Sequence, residues 1–267
     1  MQLLRNRLTI LYLIPALSFI GVFSILSPKV FATNLSFTEL GTHPQAAAQS
    51  TATGRTINKL QIFNGKLYAG YGDWNANTGP IAINPFNLTT DQFEGSVISV
   101  PTEAIQNWKI IDGKLYASTV DPTCSGNCPA GYVVGDSDGN WSMHTPITAE
   151  HVLDIATLNG TDLWLFGAAG GATATAWRST DGGDTWNAVQ TMTNEPGGDN
   201  AERYYWGAAL NGKMYMQSNY GWYNPPIQLF DGNSWTEVIP DPNESNQVCN
   251  TANIGGVNPV TFMGKIV

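Results

Sequence analysis

A hairpin signature returns every 47–52 residues, a second turn in the same repeats leads into tryptophan, and no segment of the repeats holds a 3.6-residue apolar period. Together these predict an all-β chain, a β-propeller of four-stranded antiparallel blades with about four complete blades and part of a fifth. The first signature is an apolar stretch, a turn, then Gly-Lys-apolar-aromatic or a close variant. It stands at Asn64-Gly65-Lys66-Leu67-Tyr68, Asp112-Gly113-Lys114-Leu115-Tyr116, Asn159-Gly160-Thr161-Asp162-Leu163-Trp164, Asn211-Gly212-Lys213-Met214-Tyr215 and Met263-Gly264-Lys265-Ile266-Val267. Asn-Gly and Asp-Gly between apolar runs are favoured two-residue hairpin turns, because both central residues need positive φ. The second signature is Asp138-Gly139-Asn140-Trp141, Asp181-Gly182-Gly183-Asp184-Thr185-Trp186 and Asp231-Gly232-Asn233-Ser234-Trp235, with Asp91-Gln92-Phe93 in its place in the first repeat. Two hairpins per repeat make four strands per repeat.

The N-terminus has a different character. Arg5 and Arg7 precede an uncharged run from Leu8 to Leu26, and Val30-Phe31-Ala32 offers small residues at a cleavage site. This reads as a secretory signal peptide over residues 1–32, the alternative being an uncleaved membrane anchor over residues 8–26. The expected organisation is a signal over 1–32, an N-terminal segment over 33–56 and an incomplete propeller over 57–267. Removing 1–32 takes away three basic residues and no acid, leaving 9 basic and 21 acidic side chains and a net charge of −12. Such a surface repels phosphate backbones, so nucleic acid is excluded as a partner, and membrane contact is expected only through an uncleaved N-terminus. The expected partner of this secreted monomer is a glycan or an extracellular protein.

In an oxidising compartment Cys124 and Cys128 are expected to form a local disulfide. Cys249 is then odd, either free or paired beyond residue 267. Ser36-Phe37-Thr38-Glu39-Leu40 mirrors Ser234-Trp235-Thr236-Glu237-Val238, which makes residues 34–40 an expected ring-closing outer strand. On that reading the chain is truncated at its C-terminus and its full form has six or seven blades.

Ser179-Thr180-Asp181-Gly182-Gly183-Asp184-Thr185-Trp186 resembles an Asp-box, Ser-x-Asp-x-Gly-x-Thr-Trp, the turn of sialidase-like secreted propellers. The Gly-Lys-Leu-Tyr element is similar to blades of kelch-like propellers. The resemblance implies structural roles for Ser179, Asp181, Gly183, Thr185 and Trp186, with the carboxylate tying down its own turn and the indole packed between blades. It does not extend to sialidase chemistry, which grips the substrate carboxylate with three arginines, one in Arg-Ile-Pro. Beyond residue 32 the chain has Arg55, Arg178 and Arg203; Arg55-Thr56-Ile57 lacks the proline, and Arg178 abuts the Asp-box turn.

Up-and-down blades place the strand 1–2 and 3–4 turns on one face and the more variable 2–3 and blade-to-blade loops on the other, where function is expected. That second face collects residues 72–79, 120–130, 168–172 and 219–224, and the inter-blade loop 193–203. Asp73, Trp74, Asn75, Asn77, Tyr220, Trp222, Tyr223 and Arg203 are the expected ligand contacts, since flat aromatics stack on sugar rings while amides and carboxylates bind hydroxyls. Should the chain be a glycoside hydrolase or lyase, its acids would come from Asp73, Asp199 and Glu202, joined by Asp121 or Glu150. A third reading is an adhesion module of a longer surface protein. Tyr204, Tyr205 and Trp206 begin an inner strand and are expected in the core or channel wall. No metal site or cofactor is expected. Asp136-Ser137-Asp138-Gly139-Asn140 has its glycine two positions too early for a calcium loop, and His43, His144 and His151 stand isolated in sequence.

Overall fold

The computed structural model describes residues 39–170, 173–192, 203–218, 227–238, 261–262 and 265–266, all but Glu39 within the unit Leu40–Val267. The predicted signal, the ring-closing strand up to Thr38, and Asp199, Glu202, Tyr220, Trp222, Tyr223 and Cys249 lie outside the described residues.

The described residues form an all-β propeller series with almost no helix. One helical turn, α1 (Pro44–Ala47), opens it, with the His43 ring accepting from the Ala46 amide. Blade one contains β1 (Lys59–Phe63), β2 (Lys66–Gly70), β3 (Ile81–Ile83), β4 (Phe86–Asn87), β5 (Gln92–Phe93) and β6 (Ile98–Val100). Its third strand is broken at Asn84-Pro85, because proline has no N–H for the ladder. The outer part therefore runs in the order β1-β2-β4-β5, while β3 pairs separately with β6. Blade two is β7 (Lys109–Ile111), β8 (Lys114–Ser118), β9 (Cys128–Gly135) and β10 (Trp141–Ala149). Blade three is β11 (His151–Thr157), β12 (Leu163–Ala168), β13 (Ala174–Ser179) and β14 (Asn187–Met192). Blade four is β15 (Tyr204–Leu210), β16 (Lys213–Ser218), β17 (Ile227–Phe230) and β18 (Trp235–Val238). Blades two to four each pair their strands in sequence order, antiparallel throughout. A hairpin, β19 (Thr261–Phe262) with β20 (Lys265–Ile266), lies against β15 at the fifth repeat.

The predicted turns have the predicted geometry. Asn64-Gly65, Asp112-Gly113 and Asn211-Gly212 all have positive φ, the requirement that selected those residues. The third repeat carries a longer turn, in which the Asn159 side chain accepts from the amides of Thr161 and Asp162. At the 3–4 turns of blades two to four one aspartate closes the loop, and in blade one Asn87 does so, accepting from the amides of Thr89 and Thr90. Asp181 accepts from Ser179 Oγ and from both the amide and hydroxyl of Thr185, and Trp186 Nε1 donates to Gly183 O. Asp231 accepts from the amides of Asn233 and Ser234. In blade two this aspartate is Asp136, not Asp138: Asp136 Oδ1 accepts from the amides of Asp138 and Asn140. The Asp-Gly dipeptide in sequence points two residues too late, since distance to the tryptophan decides which carboxylate reaches the amides.

Blades are held by rows of side chains facing each other across each junction. Trp141 stands beside Tyr68 and Trp108, Trp186 beside Tyr132, and Trp235 beside Trp164. Leu115, Leu163 and Met214, at matching positions of their second strands, are at most 1 % exposed, and each such burial contributes about 2 kcal/mol. One polar knot crosses three blades at the centre. Asp154 on β11 accepts from Asn107 Nδ2, Lys109 Nζ and the amides of Ile155 and Gly207.

Candidate functional site

The first strands of the blades line a central channel. At the end carrying the Asn-Gly turns they enclose about 360 Å³ between Gln61, Lys109, Thr157 and Ala209. At the other end, on the face of the 2–3 and inter-blade loops, a cavity of about 690 Å³ opens. All four blades reach its wall. Asn58 precedes β1, Gln106 precedes β7, Leu153 lies on β11, and Arg203 and Tyr205 lie at the start of β15. Thr53 and Thr56 come from the N-terminal segment, and Trp74 from the 2–3 loop of blade one.

Trp74 is placed by a tight turn. Asp73 is buried, its Oδ2 accepting from Thr51 Oγ1 at 2.7 Å and its Oδ1 from the Asn75 amide at 3.2 Å. Thr78 Oγ1 receives the Asp73 amide. Gly72 leads into this turn at φ +115°, and a Cβ there would stand 2.3 Å from Glu103 O, so the loop lies directly on the segment at Glu103 and Ala104, to which Gly72 is joined by an isolated bridge. The sequence offered Asp73 as a ligand contact or an acid; the structure places its carboxylate in the turn that orients Trp74. Asn75 and Asn77 are exposed on the same loop, and the Asn77 amide nitrogen faces Glu103, 2.9 and 3.0 Å from its two carboxylate oxygens.

The Arg203 guanidinium carbon lies 5.1 Å from the centre of the Trp74 ring, so two of the expected contacts, from the first and fourth blades, meet across the channel. His151 fills the wall beside them, edge-on to Trp74 with ring centres 5.8 Å apart and 3 % exposed. Its Nδ1 is 3.1 Å from Val120 O and 3.6 Å from Asp121 Oδ2. Its Nε2 is 3.3 Å from Glu150 Oε1 but makes no hydrogen bond among the described residues. The isolation of His151 in sequence therefore does not carry over to space.

Electrostatics sort these groups. Burial, then the neighbouring Glu103 and Glu150, push the Asp121 carboxyl up to about 7, with Arg203 partly opposing. Burial and then Arg203 hold the His151 imidazole below its ordinary value, against the pull of the Glu150 charge and the hydrogen bond with Val120 O. Burial raises Glu103. Near neutral pH, Asp121 can hold or release a proton beside a mostly neutral imidazole. Cys124 and Cys128 form a disulfide that closes the loop just after Asp121.

Asn58, Gln106 and Tyr205, with Thr53 and Thr56, were not singled out by sequence beyond Tyr205 as channel lining. Each sits at or just before the start of an inner strand, or in the N-terminal segment, a position that the repeat alignment alone could have supplied for the strand residues. The other two arginines are engaged elsewhere: Arg55 donates to Gln49 O and Ser50 O, and Arg178 grips Asp162 through two nitrogens at 2.9 and 2.6 Å. Among the described residues no three His, Cys, Asp or Glu side chains are placed to hold a metal ion, and no helix is long and apolar enough to cross a membrane.

No family model matches the chain, and no curated protein matches it. Solved structures similar to it are propellers. The Dos1 propeller shares 12 % identity at a TM-score of 0.48, covering 69 % of this chain and 46 % of its own. The GH74 xyloglucanase from Xanthomonas campestris shares 13 % at 0.46, covering 73 % and 32 %. YCF48 bound to D1 peptide shares 17 % at 0.40, covering 70 % and 52 %. The chain thus spans about half or less of each of these structures, and what they share with it is the fold.

Proposed function

We propose that this propeller binds a hydroxyl-rich ligand, a glycan segment, in the cavity where its four inner strands begin. The observation that carries this reading is the lining: neutral hydrogen-bonding side chains from Thr53, Thr56, Asn58, Gln106 and Tyr205 surround Trp74, and no carboxylate stands among the described lining residues. Such donors and acceptors match hydroxyl groups, and an aromatic body supplies apolar contact for a sugar ring. The volume, about 690 Å³, is in the range that holds one or two sugar residues. The test is a glycan array followed by calorimetry on the best binder. Asn58→Ala and Gln106→Ala are expected to weaken binding about tenfold each, as loss of one hydrogen bond from a buried site does. Binding unchanged in both variants would remove the cavity as the site, and an empty array with retained peptide binding would turn the reading towards an extracellular protein ligand.

A second reading, a glycoside hydrolase or lyase, is favoured by one observation: the Asp121 carboxyl, raised to about 7 beside Glu150 and His151, is suited to proton transfer. Turnover of a bound glycan that Asp121→Asn abolishes, with binding retained, would establish it. Binding without turnover leaves the non-catalytic reading in place. Secretion, through the N-terminal signal expected from the sequence, belongs to either proposal.

A further inference from the structure

The segment that leads into blade one is held by few groups. From Glu39 to Ser50 the buried side chains are His43 and Ala46, at 8 % and 2 % exposed. His-Pro-Gln-Ala opens α1 with a proline at its first position, and the residue before that proline has an orphan amide to satisfy. The His43 imidazole satisfies it. Its Nδ1 accepts from the Ala46 amide at 3.1 Å, and the ring centre lies 5.0 Å from that of Tyr71 and 5.3 Å from that of Phe93. Ala46 itself packs in one core cluster with Phe63, Tyr68 and Tyr71. The two anchors of the segment are therefore joined to each other by one hydrogen bond.

That bond exists in one protonation state only. A nitrogen that accepts carries a lone pair, so the neutral ring holds its proton on Nε2. A second proton puts an N–H at Nδ1, facing the N–H of Ala46, and leaves that amide without its acceptor. It also places a charge among aromatic side chains. Tyr71 is the titratable group packed on the ring; its hydroxyl donates to Ala82 O, and burial pushes its phenol up to about 12, so it brings no countercharge. Glu94, next to Phe93 in the chain, is engaged by Lys66 and Asn87. Burial holds the imidazole below its ordinary value, with the backbone of Asn84 and of His43 itself pulling the other way and no charged side chain contributing among the described residues. The stabilisation from the neutral ring is complete above the ordinary value of 6.5 and is lost as pH falls below it.

The same segment continues into the cavity wall. Thr51 Oγ1 accepts from the Gly54 amide at 2.9 Å and donates to Asp73 Oδ2, in the turn that orients Trp74. Gly54 O in turn accepts from the Gly72 amide, and Thr53 and Thr56 line the cavity. What α1 anchors at one end therefore shapes the cavity at the other.

We propose that His43 is a proton-operated latch: protonation of its imidazole releases residues 39–56 from blade one, withdrawing Thr51 from Asp73 and Thr53 and Thr56 from the cavity wall. The device is independent of what the cavity binds.

Hydrogen exchange of the full chain, read by mass spectrometry from about pH 5 to about pH 7.5 and corrected for the intrinsic pH dependence of exchange, tests it. Peptides over 43–56 are expected to open up to about tenfold more for each pH unit below about 6.5, the slope of a single proton. Peptides over 72–78, the Trp74 turn, are expected to follow, while β12 keeps its protection. His43→Asn supplies a side-chain oxygen that can cap α1 at every pH, so it is expected to abolish the pH dependence. Equal opening of 43–56 at both ends of the range overturns the proposal. So does a dependence that survives in His43→Asn, which would assign the titration to another group. Release of 43–56 with 72–78 still protected overturns the coupling to the cavity.

Discussion

Asp121 Oδ2 stands 3.6 Å from His151 Nδ1, and the two groups are displaced in opposite senses, the carboxyl upwards and the imidazole downwards. Burial drives both, because it disfavours whichever form is charged. A pair that avoids charging in the folded state makes stability depend on pH near neutrality.

For Asp121 the folded value, about 7, lies above its ordinary 3.8. The stabilisation from its protonated form is therefore complete below about 4 and is lost as pH rises to about 7. Asp121→Asn keeps the neutral shape and removes that loss. The variant is expected to match the wild type at pH 4 and to exceed it at pH 8. With the carboxyl partly open to solvent, the gain is discounted to about 2 kcal/mol. Urea denaturation at the two pH values reads this directly, and an equal difference at both would show that Asp121 is not the group titrating.

Asp154 is the buried carboxylate on which blades two, three and four converge, with four donors on its two oxygens. Lys109→Met leaves that charge buried without its ammonium, and is expected to cost about 3–5 kcal/mol. Lys109→Met combined with Asp154→Leu removes both charges and should recover much of the loss, although the amides of Ile155 and Gly207 lose an acceptor. Denaturation of the single and double variants checks the sign of this coupling.

Gly207 on β15 tests how closely the third and fourth blades approach. A Cβ there would meet the Phe166 ring at 2.1 Å, and Phe166 is fully buried. Gly207→Ala must push the ring or the strand aside, with an expected loss of about 1–3 kcal/mol, as overpacking of a filled core causes. Because Gly207 N also donates to Asp154, the same shift should speed hydrogen exchange at the Gly207 amide. A neutral Gly207→Ala variant would mean that the two blades are further apart than described.

The architecture was legible because its turns use residues with few alternatives. Gly65, Gly113 and Gly212 sit at positive φ, where a side chain is strained, so the repeat shows itself by glycine spacing. The 3–4 turns were less exact: two aspartates fit the local pattern near Trp141, and only the fold shows that Asp136 rather than Asp138 closes the loop. The cavity wall was mostly illegible. Asn58, Gln106 and Leu153 look like ordinary residues beside a strand, and they converge because four blades begin at one rim. Trp74 and Arg203 were both singled out, yet nothing local in either stretch says that they stack on each other. Asp73 reads as a ligand contact by composition, whereas its bonds to Thr51 and the Asn75 amide are internal to the fold.

The charges around His151 make a final prediction with two signs. Arg203 lowers its pKa and Glu150 raises it, so the two neighbours can be removed separately. Arg203→Gln is expected to move the His151 midpoint up, by relieving repulsion of the imidazolium, and Glu150→Gln to move it down, by removing attraction. The ring-proton resonances of the chain's three histidines resolve this in a proton NMR titration, with His151→Gln identifying the signal. His43, buried beside α1 and away from both substitutions, should hold its midpoint in both variants. Shifts of the same sign in the two variants would mean that a change in burial, rather than charge, sets the imidazole, and the cavity wall would then be more plastic than its packing against Trp74 implies.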